Sequence, residues 1–119
     1  MSLFQPFNRR LHSGAFSTWK VECDALDEGD WQTLACMISE RIISFGSVEG
    51  VPRGGLPLAH HLRHYITPGG PLLIVDDVLT TGSSLEEHRA GRLHTIGFVI
   101  FARGPRPSWV RALWTLDAD

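Results

Sequence analysis

The chain has 119 residues, of which 43% are hydrophobic and 20% charged, and its formal net charge is -2. This composition is typical of one folded globular domain covering residues 1–119 and excludes a disordered tail. The near-neutral charge gives no indication of nucleic-acid binding, and no apolar run is long enough to cross a membrane. The first residues lack the basic-then-apolar order of a signal peptide. We therefore expect a cytoplasmic protein in which Cys23 and Cys36 are free thiols.

Strands and helices are predicted to alternate along the first half of the chain. Apolar and polar residues alternate over Ser17–Asp24, which indicates a half-buried strand. Apolar residues at helical spacing then predict an amphipathic helix from Asp30 to about Ser44, preceded by an acidic turn suited to a helix start. A short strand is predicted at Val48–Val51, and a second helix from Leu56 to Ile66.

The second half of the chain predicts two helix-flanking strands and a final strand. Leu72–Val75 is continuously apolar, as expected of a strand that is buried on both faces. Ser83 and Ser84 each have a glutamate three residues later, so either pair is a candidate capping box for a predicted helix that continues to about Leu93. Ile96–Phe101 and Val110–Leu116 are the remaining predicted strands. This order implies an α/β fold: a small open, mostly parallel sheet flanked by helices, with right-handed crossovers and an N-terminal strand that is antiparallel or outside the main sheet.

Three polar clusters follow apolar strands of this predicted sheet. They are Pro52–Gly55, Asp76–Ser84 and Arg103-Gly104. In open α/β sheets ligands bind outside the carboxyl ends of the strands, so we expect the three clusters to lie along one rim.

The central cluster has the most specific chemistry. Two adjacent carboxylates accept hydrogen bonds from vicinal sugar hydroxyls and attract a divalent cation. Hydroxyl and backbone donors at a helix start suit a phosphate, and a glycine lets the backbone approach it closely. A phosphorylated sugar is therefore the favoured ligand, whereas the alternative is that these residues merely cap a turn and a helix. The residues concerned are Asp76, Asp77, Thr80, Thr81, Gly82, Ser83 and Ser84.

The segment Val75–Ser84 resembles the loop of type I phosphoribosyltransferases that binds 5-phosphoribosyl-1-pyrophosphate (PRPP). The resemblance implies that Asp76 and Asp77 are the catalytic acids, which hold the ribose 2- and 3-hydroxyls and, indirectly, a magnesium ion. It also implies that Thr80–Ser84 cradle the 5-phosphate.

Two further segments resemble the same family, nearest the orotate phosphoribosyltransferases. Gly50–Ala59 is similar to the pyrophosphate loop, which implies pyrophosphate contacts from Pro52, Arg53, Gly54 and Gly55. Leu11–Ser17 resembles the Leu-Lys-Ser-Gly-x-x-Ser segment that lines the base pocket, with His12 in place of the lysine. Arg103 stands where those enzymes place an arginine for the carboxylate of the base, and Lys20 falls near the positions that flank it. His12, Lys20 and Arg103 are therefore the predicted base-binding residues.

The resemblance implies a homodimeric enzyme that uses PRPP and Mg²⁺ to put a phosphoribosyl group on a nitrogenous base, with orotate or another pyrimidine favoured. Only Leu56–Pro71 separates the pyrophosphate loop from the next strand. The chain is therefore a shortened form that lacks the additional strand and the long mobile loop of the family. A non-catalytic PRPP or nucleotide sensor, or a regulatory subunit, is the alternative hypothesis, and a small interaction protein with a degenerate site is the third.

Several other residues have structural interpretations that compete with a functional one. Arg53 and Arg103 are each open to pairing with a surface acid instead of a ligand. His60 and His64 are four apart on a predicted helix, which is more typical of a solvated face than of a zinc site. Trp109 is expected to pack in the core, in a subunit contact or beside the base.

Overall fold

The structure is a computed structural model and describes residues 4–6, 19–21 and 26–116. For the first two of these segments only the backbone is described. The elements in chain order are β1 (Phe4–Pro6), β2 (Trp19–Val21), α1 (Glu28–Ser39), β3 (Ser47–Gly50), α2 (Leu56–Leu62), β4 (Leu72–Leu79), α3 (Ser83–Arg89), β5 (Thr95–Arg103) and β6 (Val110–Leu116). None of the helices in these segments is long and apolar enough to span a membrane.

The main sheet is parallel throughout, with the strand order β3-β4-β5-β6. Its register pairs Gly50 with Val75 and Asp76 with Val99. The pair β1 and β2 forms a separate antiparallel sheet. The predicted α/β class is therefore confirmed, as is the N-terminal strand outside the main sheet.

Helices cover both faces of the sheet. On one face, α1 and α2 pack over a buried cluster that includes Leu58, Leu73 and Val75. On the other face, Leu85 of α3 packs in a second cluster with Ile74. Because neighbouring residues of β4 enter opposite clusters, both faces of this strand are buried. The uninterrupted apolar run of β4 follows from that.

Helix α1 begins and ends earlier than the sequence predicted. Asp27 is its N-cap, and Asp27 and Asp30 form a reciprocal capping box with hydrogen bonds of 2.8 and 3.1 Å. The helix ends at Ser39 instead of Ser44. Ile42 is nevertheless buried, at 7% exposure, from the connection that follows. Its apolar character indicated burial but did not require a further helical turn.

Helix α3 and strand β4 also differ from the prediction. Residues Ala90 and Gly91 have φ angles of 52° and 73°, and they end α3 at Arg89 instead of Leu93. The predicted capping boxes are wrong, because Gly82 is the N-cap and makes no side-chain hydrogen bond. Strand β4 continues through Leu79, so its two aspartates lie within the strand and not after it.

The connection between α2 and β4 is as short as the sequence indicated. A single 3-10 turn, Arg63–Tyr65, continues α2. The N–H of Thr67 then donates to the carbonyl of Phe45, shortly before β3, at 2.8 Å. Residues 63–71 contain no strand.

Candidate active site

Residues Pro52–Gly55, the predicted pyrophosphate loop, lie directly beside β4. The N–H of Val51 donates to the carbonyl of Val75 at 2.9 Å, so the chain stays paired with β4 one residue beyond the end of β3. The N–H of Gly55 then folds back onto the carbonyl of Val51 at 2.8 Å. This tight turn contains a cis peptide bond between Pro52 and Arg53.

Two glycines allow this close approach. A Cβ atom on Gly55 would overlap the carbonyl oxygen of Val75, and it would lie 2.7 Å from the nitrogen of Val51. A Cβ atom on Gly54 would lie 2.5 to 2.7 Å from the carboxyl atoms of Asp77. The loop therefore rests on the backbone of β4 and on one of its aspartates, while the side chains of Pro52 and Arg53 are exposed.

The two aspartates stand side by side in β4, and each accepts a backbone hydrogen bond. The N–H of Asp77 donates to Oδ1 of Asp76 at 2.8 Å, and the N–H of Val78 donates to Oδ1 of Asp77 at 2.7 Å. Asp76 is only 9% exposed. Burial, together with the neighbouring carboxyl group of Asp77, raises the pKa of Asp76 to about 7. Both effects disfavour a second negative charge at this position.

The donor set of the aspartate pair fits a divalent cation that is shared with a ligand. Two neighbouring carboxylates supply hard oxygen donors, and a cation would favour the ionised form of Asp76, whose pKa is raised by burial and by the Asp77 carboxyl group. Among the described residues, no group of three or more His, Cys, Asp or Glu side chains is arranged to hold a metal. A magnesium ion at Asp76 and Asp77 would therefore take its other ligands from substrate oxygens and water, as this ion commonly does.

A small concave pocket lies at the end of β4. Its volume is about 40 Å³, and it is lined by Asp76 and by residues 78–85. Gly82 has a φ angle of 85°, a left-handed conformation that glycine adopts without strain. Thr81 accepts the N–H of Ser83 at 3.3 Å and donates to its hydroxyl at 3.0 Å. The hydroxyl residues of this loop are exposed at the pocket: Thr80, Thr81, Ser83 and Ser84.

The third cluster is at the end of β5. Arg103 is the last residue of that strand, and the chain turns at Gly104 with a φ angle of 74°. The Nε atom of Arg103 is buried and has no hydrogen-bond partner. Neither Arg53 nor Arg103 takes part in the ion pairs found among the described residues. His12 lies outside the described residues, and Lys20 belongs to β2, whose side chains are not described.

The fold matches solved phosphoribosyltransferases over most of its length. Orotate phosphoribosyltransferase from Aeropyrum pernix aligns with 96% of this chain and 88% of its own, at a TM-score of 0.72 and 22% identity. The Mycobacterium tuberculosis H37Rv orotate phosphoribosyltransferase, solved with Fe(III) dicitrate, aligns with 94% of this chain and 88% of its own, with a TM-score of 0.73 and 16% identity. A purine phosphoribosyltransferase from Pyrococcus horikoshii gives a TM-score of 0.54 at 20% identity, over 77% of this chain and 89% of its own.

The chain has the type I phosphoribosyltransferase fold. No protein-family model matches the sequence, and no curated protein matches it. The likeness is therefore one of structure, at low sequence identity.

Within this phosphoribosyltransferase fold, sequence reasoning missed two side-chain groups. Trp109 is half-buried: it contacts Glu86 and Arg89 of α3 and packs against the second core cluster, which agrees with its predicted core packing. His61 is buried, and its Nε2 lies 2.9 Å from a carboxylate oxygen of Glu28 at the start of α1. Neither group has a signal in the sequence, because its contacts join residues twenty or more positions apart with no shared motif.

Proposed function

We propose that this protein binds PRPP with Mg²⁺ and transfers its phosphoribosyl group to a nitrogenous base, with orotate or another pyrimidine as the favoured acceptor. Pyrophosphate is the second product. The observation that carries the proposal is the convergence at the aspartate pair: Gly54 of one loop lies against Asp77, and Asp76 lines the same pocket as residues 80–84. The fold and its resemblance to the orotate enzymes support the choice of substrates.

The parts of PRPP match the chemistry of three groups of residues. Asp76 and Asp77 would accept hydrogen bonds from the ribose 2- and 3-hydroxyls, since carboxylates are acceptors and two hydroxyls stand side by side on the sugar. Thr80–Ser84 would donate hydroxyl and backbone hydrogen bonds to the 5-phosphate. Pro52–Gly55 would meet the pyrophosphate with backbone N–H groups and the Arg53 guanidinium. A bound magnesium ion would neutralise pyrophosphate charge.

The reaction breaks the bond between C1 of ribose and a pyrophosphate oxygen and forms a bond from C1 to a nitrogen of the base. Positive charge develops on the sugar ring, and negative charge on the departing pyrophosphate. The carboxylates of Asp76 and Asp77 stabilise the positive charge on the sugar, and Arg53 stabilises the negative charge on the pyrophosphate. Arg103, His12 and Lys20 are proposed to hold the base in line with C1, since transfer depends on that alignment.

A non-catalytic PRPP sensor or regulatory subunit is the second candidate. It is favoured by the short connection of residues 63–71, which leaves no room for a long closing loop between α2 and β4. Closure of such a site excludes water and strengthens its electrostatic interactions.

From the resemblance to the phosphoribosyltransferases we also propose that the protein is a homodimer in the cytoplasm. A partner subunit would help to cover the rim of the site.

The test is a calorimetric titration of the protein with PRPP, with and without Mg²⁺. We expect saturable binding that requires Mg²⁺ and that weakens by at least about tenfold in Asp77→Asn, which keeps the size of the side chain and removes its charge. The matched control is Glu87→Gln, an exposed acid on α3, which should bind like the wild type. Absence of binding to the folded wild-type protein would refute the proposal. Pyrophosphate release that depends on an added base then separates the enzyme from the sensor.

A further inference from the structure

Three side chains on α3 and the segment before β6 form a compact cluster. The indole Nε1–H of Trp109 donates to Oε1 of Glu86 at 2.6 Å. Arg89 donates to Oε2 of the same carboxylate at 3.1 Å, and its guanidinium carbon lies 4.5 Å from the centre of the Trp109 ring. We call Glu86, Arg89 and Trp109 the tryptophan clamp. One carboxylate therefore holds the indole and the cation that stacks on it.

Strand β5 fixes the other side of the tryptophan. The N–H of Gly97 donates to the carbonyl of Trp109 at 2.9 Å. A Cβ atom on Gly97 would lie 2.8 Å from the Trp109 ring, closer than real Cβ contacts. The ring thus packs on the bare backbone of β5, and its position is set by a helix and a strand together.

The same segment also touches the phosphate pocket. The ring of Pro107 lies 3.3 to 3.4 Å from the position that a Cβ atom on Gly82 would occupy. Gly82 is the left-handed residue of the loop that lines the pocket. The carbonyl of Pro107 also accepts the N–H of Val110 at 3.1 Å, which ties it to the start of β6. Segment 104–109, which begins next to Arg103, is therefore held at Gly82 and at α3.

We propose that the tryptophan clamp couples the phosphate pocket to the acceptor side of the site, and that Trp109 is a positioning residue for segment 104–109. This inference rests on the proposed function, because it takes residues 80–84 as the phosphate site and Arg103 as a base contact. Phosphate bound at Ser83 and Ser84 fixes the first turn of α3, which contains Glu86. Glu86 then holds Trp109, and the segment that follows Arg103 is held with it.

The charge of Glu86 supports the same conclusion. This carboxylate stands in the first turn of α3, three residues after Ser83, where it would repel a bound phosphate. The indole N–H donates a hydrogen bond to this carboxylate, and the positive Arg89 guanidinium offsets its charge. The clamp therefore favours phosphate binding while it positions the acceptor side. By linkage, a ligand at either subsite raises the affinity of the other by the same factor.

The experiment uses ribose 5-phosphate as the probe and follows the indole and backbone N–H signals by NMR. In the wild type, saturation with ribose 5-phosphate should shift the Trp109 indole signal and the Gly104 amide signal. Trp109→Phe keeps an aromatic ring over Gly97 but removes the N–H donor. In this variant the Gly104 response should be lost. The matched control is Trp114→Phe on β6, whose ring stacks on Phe101 outside the clamp, and it should keep the response.

A second pair of variants guards against a simple folding defect. Glu86→Gln retains an oxygen acceptor for the indole and should keep the Gly104 response, whereas Glu86→Ala should lose it.

In steady-state assays we expect Trp109→Phe to raise KM for the acceptor by at least about fivefold with kcat little changed, the scale of a modest coupling. Binding of ribose 5-phosphate with an unchanged Gly104 response in Trp109→Phe would overturn the inference and leave the proposed function intact. In a wild type that binds PRPP, the absence of any Gly104 response to ribose 5-phosphate would overturn the inference alone, whereas the absence of PRPP binding as well would overturn both.

Discussion

Gly54 lies directly against the carboxyl group of Asp77. A methyl group at this glycine would stand 2.5 Å from Oδ2 and 2.7 Å from Oδ1 of that aspartate. The two residues are separated by α2 and the connection after it, and the pairing of β3 with β4 brings them together. The absence of a side chain at Gly54 therefore leaves the space that the Asp77 carboxylate occupies.

Replacing Gly54 with alanine should displace this carboxylate and weaken binding with little effect on folding. We expect Gly54→Ala to lower PRPP affinity at least about tenfold while the free energy of unfolding falls by about 1 kcal/mol or less, because only a side chain has to move. Calorimetry and denaturant unfolding measure the two effects.

Gly55→Ala is the matched control for that substitution. Its Cβ atom would meet the backbone of Val75 and Val51 instead of a side chain. Backbone atoms cannot move aside cheaply, so this variant should lose about 2 to 3 kcal/mol of stability. Wild-type PRPP affinity in Gly54→Ala would show that the position of the Asp77 carboxylate is unimportant for the ligand.

Asp76→Asn should make the ligand-free protein more stable near neutral pH. Burial first, and then the neighbouring Asp77, raises the pKa of Asp76 to about 7, well above its value of 3.8 in an unfolded chain. Ionised Asp76 therefore destabilises the fold above pH 7, and this cost disappears as the pH falls towards the unfolded value. Asparagine keeps the oxygen that accepts the N–H of Asp77 and carries no charge.

The gain in stability should be on the order of 1 to 3 kcal/mol at pH 8 and should shrink towards zero near pH 4. Urea unfolding of the two proteins across this range measures it. The same variant should lose PRPP binding, because the carboxylate is a ligand contact in the proposed site. An equal stability difference at all pH values would contradict the assigned ionisation.

Glu49→Gln should reduce stability at neutral pH but not in acid. Two hydrogen bonds from Arg92, of 2.9 and 3.0 Å, are the main cause of the lowered pKa of Glu49, and His88 adds a contact of 2.8 Å. Because the folded-state pKa lies below the unfolded value of 4.5, the stabilisation is present above that pH. It is lost as the pH falls through the folded-state pKa.

The expected change is a drop of roughly 2 to 4 °C in the unfolding midpoint at pH 7, kept small because this pair is partly exposed. The difference from the wild type should shrink as the pH falls below 4.5 and vanish below the lowered folded-state pKa of Glu49, where the carboxylate is protonated. Scanning calorimetry at both pH values measures it, with Glu87→Gln as a control that should show no difference at either. A constant deficit in acid would mean that packing, and not charge, links β3 to the end of α3.

The sequence predicted the strands better than the ends of the helices. The strand Val110–Leu116 was predicted with its observed bounds. For β4 the apolar run marked the beginning, but the strand continues through Asp77 because pairing with β5 extends to Leu79. Helix α3 ends earlier than predicted because Ala90 adopts a left-handed conformation. An alanine in the sequence gives no signal for that conformation. Neither capping box forms because Gly82 is the N-cap, so Ser83 and Ser84 lie inside the helix.

By itself, the sequence determined the order of strands and helices and the residues of the candidate site. The spacing of apolar residues and a contiguous polar segment such as Asp76–Ser84 are both local features of the chain. Tertiary structure decided which groups meet. Gly54 against Asp77, Trp109 on Glu86 and Arg92 on Glu49 join residues between 23 and 43 positions apart. Such contacts arise from the register of parallel strands and from the packing of α3 on the sheet. No local period or spacing encodes them, since their free energy depends on distances that exist only after the chain has folded.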